Sequence, residues 1–224
     1  MTPTMTALAG PVVVRGLALT KTFRRGAETV RALRDVDLTV AEGQIIGIAG
    51  ASGSGKSTLL AVICGWEVPD SGTIEFGDGG TASVDLPWSD LSLVPQTLGL
   101  LDDLPALENV LLPARLTKQE EQYRDRANAL MERLGVDHLA TRFSDQMSLG
   151  EQQRIAMARA LLLRPRLMLA DEPSAHQDHD WADVVLGLLR DHAAEGGACV
   201  LVSHHRQALE RADVIYRMTD GVLA

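Results

Sequence analysis

The sequence predicts an α/β protein with a largely parallel central sheet, two β-type stretches near its N-terminal end and an inserted helical segment. Two observations support this class. Strand-like runs alternate with helical patterns before residue 97 and again after Pro165, and the roughly 97–160 stretch between them is mostly helical in pattern. Alternating strands and helices favour a parallel sheet, which binds ligands at the carboxyl ends of its strands.

The predicted strands of the first half are apolar runs, alternating or continuous. Val36, Leu38 and Val40 alternate with polar residues, as expected for a half-exposed strand. Ile45–Ala49 is an apolar, β-branched run that predicts a buried strand, and Lys56–Cys64 predicts a short helix that Gly65 ends. The predicted strands and turn of this half are Val12–Leu19, Leu33–Val40, Ile45–Ala49, Thr73–Phe76, the turn Gly77–Gly80 and Leu91–Pro95.

Two patterns of the form S/T-x-x-E predict helix starts in the second half. Thr117 with Glu120 predicts a capping box for a helix that ends at Gly135. Ser148 with Glu151 repeats the pattern and opens a helix that runs to about Leu163. The remaining predicted elements are the strand Leu167–Ala170, the helix Trp181–Ala194, the strands Ala198–Ser203 and Val214–Met218, and the turn Asp220–Gly221.

Composition and charge disfavour a nucleic-acid-binding protein, a membrane-spanning protein and a secreted protein. The 224 residues carry 30 Asp and Glu against 21 Lys and Arg, a net charge of −9 that disfavours non-specific binding to nucleic acid. No apolar run approaches the 18 or more residues of a membrane span, and Met1–Gly10 lacks the pattern of a secretion signal. Cys64 and Cys199 lie in apolar surroundings, which predicts buried, reduced thiols in a cytoplasmic protein. Any membrane role must therefore come through a partner.

A glycine-rich loop follows the predicted strand Ile45–Ala49. The run Gly50–Ser57 matches G-x-x-x-x-G-K-[ST] in the strand-to-helix context that this phosphate-binding motif requires. Backbone N–H groups and the helix amino end favour phosphate oxygens, Lys56 reaches the β and γ phosphates, and Ser57 offers its hydroxyl to Mg²⁺. The predicted nucleotide-binding residues of this loop are Gly50, Ser52, Gly53, Ser54, Gly55, Lys56, Ser57 and Thr58.

An acidic pair ends the predicted strand that begins at Leu167. Asp171 comes at the end of this strand, where a carboxylate can hold the Mg²⁺ shell. Glu172 can orient and partly deprotonate a water that attacks the γ phosphate. The alternative is a carboxylate pair that caps the next loop, since Asp-Glu before Pro is common in turns.

The segment Met147–Arg154, with the sequence M-S-L-G-E-Q-Q-R, lies some 20 residues before the acidic pair and is called the signature below. Together with the phosphate loop, this order of motifs resembles the ATP-binding cassette (ABC) ATPases, and the resemblance covers nearly the whole chain. It implies an α/β P-loop NTPase of ABC type that forms one domain, with a largely parallel sheet core, an N-terminal antiparallel β region and an inserted helical subdomain. Residues of about 1–96 and 161–224 would make the RecA-like core and the β region, and about 97–160 the helical subdomain with the signature.

The resemblance also implies a dimer around two ATP molecules. Ser148 and the Gly150 amide would meet the γ phosphate bound by the opposite protomer, because a helix amino end attracts an anion. The alternative is that Ser148 and Glu151 only cap a helix, and both readings can hold together. Asp178 matches the loop that crosses the dimer seam, although Gln177 stands where the family usually has Leu.

Three further residues match the family's ATP site. Phe23 stands where an aromatic ring stacks on adenine, with a core Phe as the alternative. Gln96 matches the glutamine that touches Mg²⁺ and the attacking water, with an exposed loop amide as the alternative. His204 matches the histidine that bonds the γ phosphate, so the implied catalytic set is Glu172, His204, Gln96 and Lys56, and the implied Mg²⁺ ligands are Ser57, Gln96 and Asp171.

Two signature positions depart from the family pattern of Leu-Ser-Gly-Gly-Gln. Leu149 replaces the first glycine, and if that position needs a positive φ, Leu costs on the order of 1 kcal/mol. Glu151 replaces glutamine and places a carboxylate near the incoming phosphate. The nearby segment 176–180, with two His and two Asp, gives no clean tetrahedral set, and we expect no zinc site there.

The predicted function is that of an ATPase subunit of a membrane transporter, peripheral at the cytoplasmic face of the membrane. Thr97–Val110 lies where a helix of the integral-membrane permease would dock, although its Leu side chains also suit a core. Glu108–Pro113 resembles the lipoprotein-release and macrolide-export subfamily, which favours an exporter. The second ABC ATPase subunit is expected to be another copy of this chain. The alternatives are a cytosolic ABC ATPase acting on DNA or ribosomes and a small-molecule P-loop kinase.

Overall fold

The computed structural model describes residues 10–26, 28–77, 86–87 and 89–224. The predicted turn at 77–80 lies outside the described residues beyond Gly77, as does the N-terminal segment before Gly10. The strands are β1 Val12–Arg25, β2 Glu28–Ala41, β3 Ile45–Ala49, β4 Ser71–Phe76, β5 Leu91–Val94, β6 Leu167–Asp171, β7 Ala198–Val202, β8 Val214–Thr219 and β9 Val222–Leu223. The helices are α1 Lys56–Ile63, α2 Ala106–Leu116, α3 Glu120–Arg133, α4 Leu149–Leu161, α5 His179–Ala194 and α6 Arg206–Leu209.

A three-stranded antiparallel sheet in the order β2-β1-β4 forms the N-terminal β region. Val14 of β1 lies between Val40 of β2 and Phe76 of β4, and all three side chains are buried. Strands β1 and β2 are both longer than predicted. The pairing between them is irregular between Gly16 and Thr22, and such bulges interrupt the alternation on which the sequence prediction depended.

The central sheet has six strands in the order β5-β6-β7-β3-β8-β9, and all its pairs are parallel except β8 with β9. Every residue of β6 and β7 is buried, because both faces of the sheet are covered. Along β6, Leu167 and Leu169 face the core shared with the antiparallel sheet, whereas Met168 and Ala170 face the core shared with the helices. The predicted fold class is confirmed.

Three helices, α2 to α4, lie between β5 and β6 in the chain and share a hydrophobic core with one face of the central sheet. The backbone carbonyls at the end of α4 accept hydrogen bonds from Arg126 of α3, with Nε 2.9 Å from Leu162 O. Burial lowers the pKa of the Arg126 guanidinium. Among the described helices, none combines the length and the apolar character that crossing a membrane requires.

The predicted capping box at Thr117 is wrong. Residue Gln119 precedes α3, and Thr117 instead follows the last residue of α2, where its hydroxyl donates to the carbonyl of Ala114 at 3.1 Å. Glu120 pairs with Arg115 and Arg124 rather than with a helix-capping amide. Because α2 continues past Pro113, Thr117 lies at the end of α2 and not at the start of α3. Its hydroxyl therefore satisfies a carbonyl at a helix end.

Both cysteines are free thiols. Cys199 is fully buried in β7, and this burial raises the pKa of its thiol to about 12. Cys64 is only partly buried, and desolvation raises its pKa as well. The prediction of buried thiols therefore holds for Cys199 and in part for Cys64.

The turn after α3 packs against the first turn of α5. Gly135 has φ +62°, and a Cβ atom there would overlap the indole ring of Trp181. The Trp181 ring also makes a cation–π interaction, with the Arg154 guanidinium carbon 4.4 Å from the ring centroid. The close approach of backbone to ring therefore requires glycine.

We expect Gly135→Ala to lower the free energy of unfolding by about 2 kcal/mol, since left-handed backbone is unfavourable for Ala and the indole must leave the Arg154 guanidinium. Urea denaturation measures the change. Gly187→Ala is the matched control, because Gly187 lies inside α5 with nothing within 4 Å of an added Cβ. The control should raise stability by roughly 0.5–1 kcal/mol. Equal effects of the two changes would contradict the assignment of Gly135 to a backbone–ring contact.

Candidate functional site

A cleft of about 930 Å³ opens at the carboxyl edge of the parallel sheet. This volume is in the range of small-molecule and cofactor sites. The structure brings together in its walls most of the residues predicted to bind nucleotide: Phe23, Gly50, Ser52, Gly53, Gly55, Lys56, Ser57, Thr58, Gln96, Asp171, Glu172 and His204. Ser54 is buried within the same loop. Ser148, Gly150 and Asp178 lie outside this cleft.

The glycine-rich loop connects β3 to α1 and forms the floor of the cleft. Gly55 precedes α1 in a left-handed conformation, φ 109°, and a Cβ atom there would overlap the carbonyl oxygen of Ala32. The Lys56 ammonium donates to the carbonyls of Gly50 at 2.9 Å and Ala51 at 2.8 Å. The cation and the amino end of α1 therefore lie at the same concave surface, which suits a polyphosphate.

Ser57 and Asp171 join the two sides of the cleft. The Ser57 hydroxyl donates to the Asp171 carboxylate at 2.7 Å. Burial raises the pKa of Asp171, and the hydrogen bond from Ser57 opposes this shift. Gln96 is exposed in the turn after β5 and adds an amide oxygen to the same cleft. A hydroxyl, a carboxylate and an amide are the oxygen donors that Mg²⁺ prefers, so these residues fit the implied metal.

Glu172 directly follows β6 in a left-handed backbone conformation, φ 53°. Such strain in a non-glycine residue persists only where the surroundings hold it. Its N–H donates to Val202 O at 2.9 Å, and its carbonyl accepts from the Gln153 amide at 2.7 Å. Its carboxylate accepts from the Ser203 hydroxyl at 2.8 Å and from the His204 N–H at 3.0 Å. The buried carboxylate is therefore fixed by Ser203 and His204, whereas the backbone of Glu172 is fixed by Val202 and Gln153.

The His204 ring contacts the same carboxylate, with Nδ1 2.6 Å from Glu172 Oε1, while most of the side chain remains exposed. Sequence reasoning missed Ser203 and Gln153, the two residues that position Glu172 without lining the cleft. The signal for Ser203 was its place directly before His204 at a strand end. Gln153 gave no comparable signal, because its contact depends on how α4 packs against the end of β6.

The predicted helix start at Ser148 is confirmed. The Ser148 hydroxyl accepts from the Glu151 N–H at 3.3 Å, and the Glu151 carboxylate accepts from both the N–H and the hydroxyl of Ser148 at 2.8 Å. These hydrogen bonds lower the pKa of Glu151. The single hydroxyl proton of Ser148 and the other groups of the capping box therefore all have hydrogen-bond partners within the chain.

The expectation of backbone strain at Leu149 is wrong. Leu149 is the first residue of α4 and is not among the residues with positive φ. Its side chain is 56% exposed at the helix start. Because the backbone at position 149 is helical, the residue there need not be glycine. The change from glycine to leucine therefore adds an exposed apolar side chain and no backbone strain.

A second polar network joins α4 to the segment before α5. The Gln177 side chain accepts from Arg154 Nη1 at 2.7 Å and donates to Gly150 O at 2.9 Å. Its amide also donates to Gln153 Oε1 at 3.3 Å. Asp178 is the N-cap of α5, where its carboxylate accepts from the Trp181 N–H at 2.9 Å. Gln177, noted in the sequence only as a departure, therefore connects the signature helix with the loop that carries Asp178.

The fold and the cleft define a P-loop nucleotide-binding protein. The family model described as ABC transporter matches residues 33–175, and the chain belongs to this family of ATP-binding cassettes. The chain is 40% identical over 215 residues to the lipoprotein-releasing system ATP-binding protein LolD of Shewanella denitrificans, which covers 92% of this chain and 92% of that protein. The predicted resemblance is confirmed.

A longer relative matches over part of its length. The macrolide export ATP-binding/permease protein MacB of Rhodopseudomonas palustris is 38% identical over 219 residues, which is 95% of this chain and 33% of that protein. The chain thus spans about a third of the MacB relatives that it matches.

A solved structure of the ATP-binding cassette MJ0796, a dimer in a post-hydrolysis state bound to ADP and Pi, superposes with a TM-score of 0.84. It is 29% identical and covers 94% of this chain and 96% of that chain. A second dimeric structure of MJ0796, described as a bacterial ABC transporter cassette, gives the same TM-score at 30% identity and the same coverage of both chains. The predicted ABC ATPase class is confirmed.

We expect Gln177→Leu, the residue usual in the family, to lower the free energy of unfolding by about 1–3 kcal/mol, because it leaves the buried Arg154 guanidinium without this acceptor. Urea denaturation measures the change. Gln122→Leu, an exposed position of α3, is the control and should shift stability by no more than about 0.5 kcal/mol. A Gln177→Leu protein as stable as the control would show that the network contributes nothing to folding.

Proposed function

We propose that this chain is the ATP-hydrolysing subunit of a membrane ABC transporter and works as a homodimer that closes around two MgATP. The observation that carries the proposal is the meeting of Lys56, Asp171 and Glu172 in one cleft. Ser203 and His204 fix the Glu172 carboxylate, and Gln153 fixes the backbone carbonyl of the same residue. Family membership supports the ATPase activity.

The predicted site residues that line the cleft have the following parts in the proposed reaction. Lys56 and the loop N–H groups bind the β and γ phosphates, and Phe23, which lies at the cleft wall, stacks on the adenine. Ser57, Gln96 and Asp171 would hold Mg²⁺, which when bound neutralises charge on the phosphate oxygens. The groups that act on the phosphates therefore come from three different strand ends.

The chemical step uses Glu172 as a positioned base. Its carboxylate orients a water in line with the γ phosphate and takes one proton from it as the water oxygen bonds to the γ phosphorus. The bond between the γ phosphorus and the β,γ-bridging oxygen breaks at the same time, and ADP is the leaving group. His204 turns its second ring nitrogen to the γ phosphate. The left-handed backbone of Glu172 directs its carboxylate toward the Ser203 and His204 side, which fixes the base before nucleotide enters.

The second protomer supplies the other half of each site. Ser148, Gly150 and Asp178 lie outside the cleft, so within one chain they do not complete it. We infer that they face the nucleotide of the partner subunit, as the amino end of α4 favours an anion. Dimeric cassettes among the similar structures support this arrangement.

The permease is the proposed membrane partner, and it would hold this chain at the cytoplasmic face as part of an exporter. LolD and MacB, by their names, belong to a lipoprotein-releasing system and to macrolide export. In the predicted docking segment, Ala106 and Val110 are buried and serve the core, whereas Leu101 is 46% exposed. Leu101 and the exposed Phe143 are the apolar side chains that we assign to permease contact, on the helical subdomain of about residues 97–160.

We expect Glu172→Gln to keep ATP binding and to reduce turnover by roughly 10²–10⁴-fold, the usual contribution of a positioned base. The amide keeps the side-chain size, so the ATP-bound dimer should accumulate, as measured by size-exclusion chromatography beside a phosphate-release assay. Glu121→Gln, an exposed position in α3, is the control and should leave turnover unchanged. Wild-type turnover by the Glu172→Gln protein would remove this residue from the proposed role.

We expect Glu151→Gln to strengthen ATP-driven dimerisation. Glutamine can still cap α4. The change removes a carboxylate from the helix end that meets the γ phosphate in the proposed dimer. It also removes the negative charge that accepts the hydrogen bond from the Ser148 hydroxyl. In a Glu172→Gln background, the ATP concentration for half-maximal dimer should fall by about 3–10-fold, which corresponds to a repulsion of about 1 kcal/mol.

Asp145→Asn is the matched control for charge, because Asp145 is exposed three residues before Ser148 and makes the same change in net charge. It should leave the ATP dependence of the dimer nearly unchanged. Weaker dimerisation after Glu151→Gln would mean that the charged cap orients Ser148 for its phosphate, rather than competing with it.

A further inference from the structure

A cluster of three metal-binding side chains lies at one end of the cleft. Among the described residues, Glu172, His204 and His205 each place one ligand atom so that all three atoms lie within 4.8 Å of one another. Glu172 is buried, whereas both histidines are exposed. The two imidazole rings are tilted against each other at 38°, with centroids 4.0 Å apart. The cluster is therefore anchored on its carboxylate side and open to solvent on its imidazole side.

One hydroxyl positions both ends of this cluster. Ser203 Oγ donates to Glu172 Oε2 at 2.8 Å and accepts from the His205 N–H at 3.1 Å. The second carboxylate oxygen, Oε1, is the one that contacts His204 Nδ1 at 2.6 Å. The backbone that carries the two histidines is thus tied to the same carboxylate before any ligand arrives, which lowers the cost of ordering a metal site.

We propose that Glu172, His204 and His205 bind a divalent transition metal of the Zn²⁺ type. Two imidazoles and one carboxylate are a ligand set that suits Zn²⁺ and leaves a position for water. Mg²⁺ prefers oxygen ligands, so this site and the oxygen donors Ser57 and Asp171 select different ions within one cleft. His205 distinguishes the two sites, because it belongs to the cluster but does not line the cleft.

Zinc at this position inhibits ATP hydrolysis. The metal engages the Glu172 carboxylate and the His204 ring, so neither group remains available to the attacking water or to the γ phosphate. The glycine-rich loop and Lys56 are not ligands, and nucleotide binding is therefore retained. This consequence depends on the proposed ATPase function, whereas metal binding itself does not.

The binding test uses the tag-free, nucleotide-free protein and Zn²⁺ alone, titrated in competition with a chromophoric chelator. We expect one zinc per chain, with an affinity at least about 10-fold weaker in His205→Asn, since even an outer-shell change shifts metal affinity by that much. Asparagine is a favourable N-cap and preserves the start of α6. His138→Asn, an exposed histidine of the helical region, is the control and should bind zinc like the wild type.

Cobalt substitution gives a spectroscopic check on the ligands. Co²⁺ bound by two imidazoles and a carboxylate should show visible absorption bands that disappear in His205→Asn and remain in His138→Asn. Absence of zinc binding by the wild type, or equal binding by wild type and His205→Asn, would overturn the proposed site.

The activity test measures phosphate release at saturating MgATP with buffered free zinc. We expect zinc to inhibit the wild type and His138→Asn, whereas His205→Asn should show unchanged turnover without zinc and at least about 10-fold lower sensitivity to it. Zinc binding without any inhibition would overturn the assignment of inhibition to this cluster. Zinc binding by a protein that never hydrolyses MgATP would leave the metal site in place and refute the proposed function instead.

Discussion

The parallel pairing of β6, β7 and β3 is the constraint on which the rest of the structure depends. Asp171 and Ile48 both pair with Val202, so the three strands end at one level of the sheet. The ladder continues beyond the strands, with Glu172 N–H donating to Val202 O at 2.9 Å and Ser203 N–H to Ile48 O at 3.2 Å. Backbone hydrogen bonds, rather than flexible side chains, thus set the spacing between the phosphate loop and the acidic pair.

Helix α4 attaches the helical region to this edge at two points. Gln153 donates to the Glu172 carbonyl at 2.7 Å, and Arg159 donates to Leu98 O at 2.8 Å and Gly99 O at 2.7 Å. The second contact holds the segment that follows Gln96. Because Gln153 and Arg159 lie on the same helix, a displacement of α4 acts on Glu172 and on the segment that follows Gln96 together. This gives the helix that begins at Ser148 a physical connection to the cleft of its own chain.

Much of the fold follows from local pattern, and the exceptions have identifiable causes. The apolar runs of β3 and β6 predicted these strands to within a residue, since burial on both faces leaves little ambiguity. Thr117 was assigned to the wrong helix because a hydroxyl can satisfy an amide or a carbonyl, and only the path of α2 decides between them. The backbone of Glu172 was not predictable, because its left-handed conformation depends on Val202 and Gln153, which are distant in sequence.

The departures from the family pattern lie at residues of the proposed dimer contact rather than in the phosphate-binding loop. The loop Gly50–Ser57 and the acidic pair keep every expected side chain, whereas Leu149 and Glu151 change the exposed start of α4 and Gln177 changes the loop beside it. An exposed leucine adds apolar surface to that face, and a carboxylate adds charge where an anion must approach. In the proposed dimer, these two effects oppose each other. The nucleotide affinity of the single chain should therefore resemble that of its family, and the difference should lie in the step that brings two chains together.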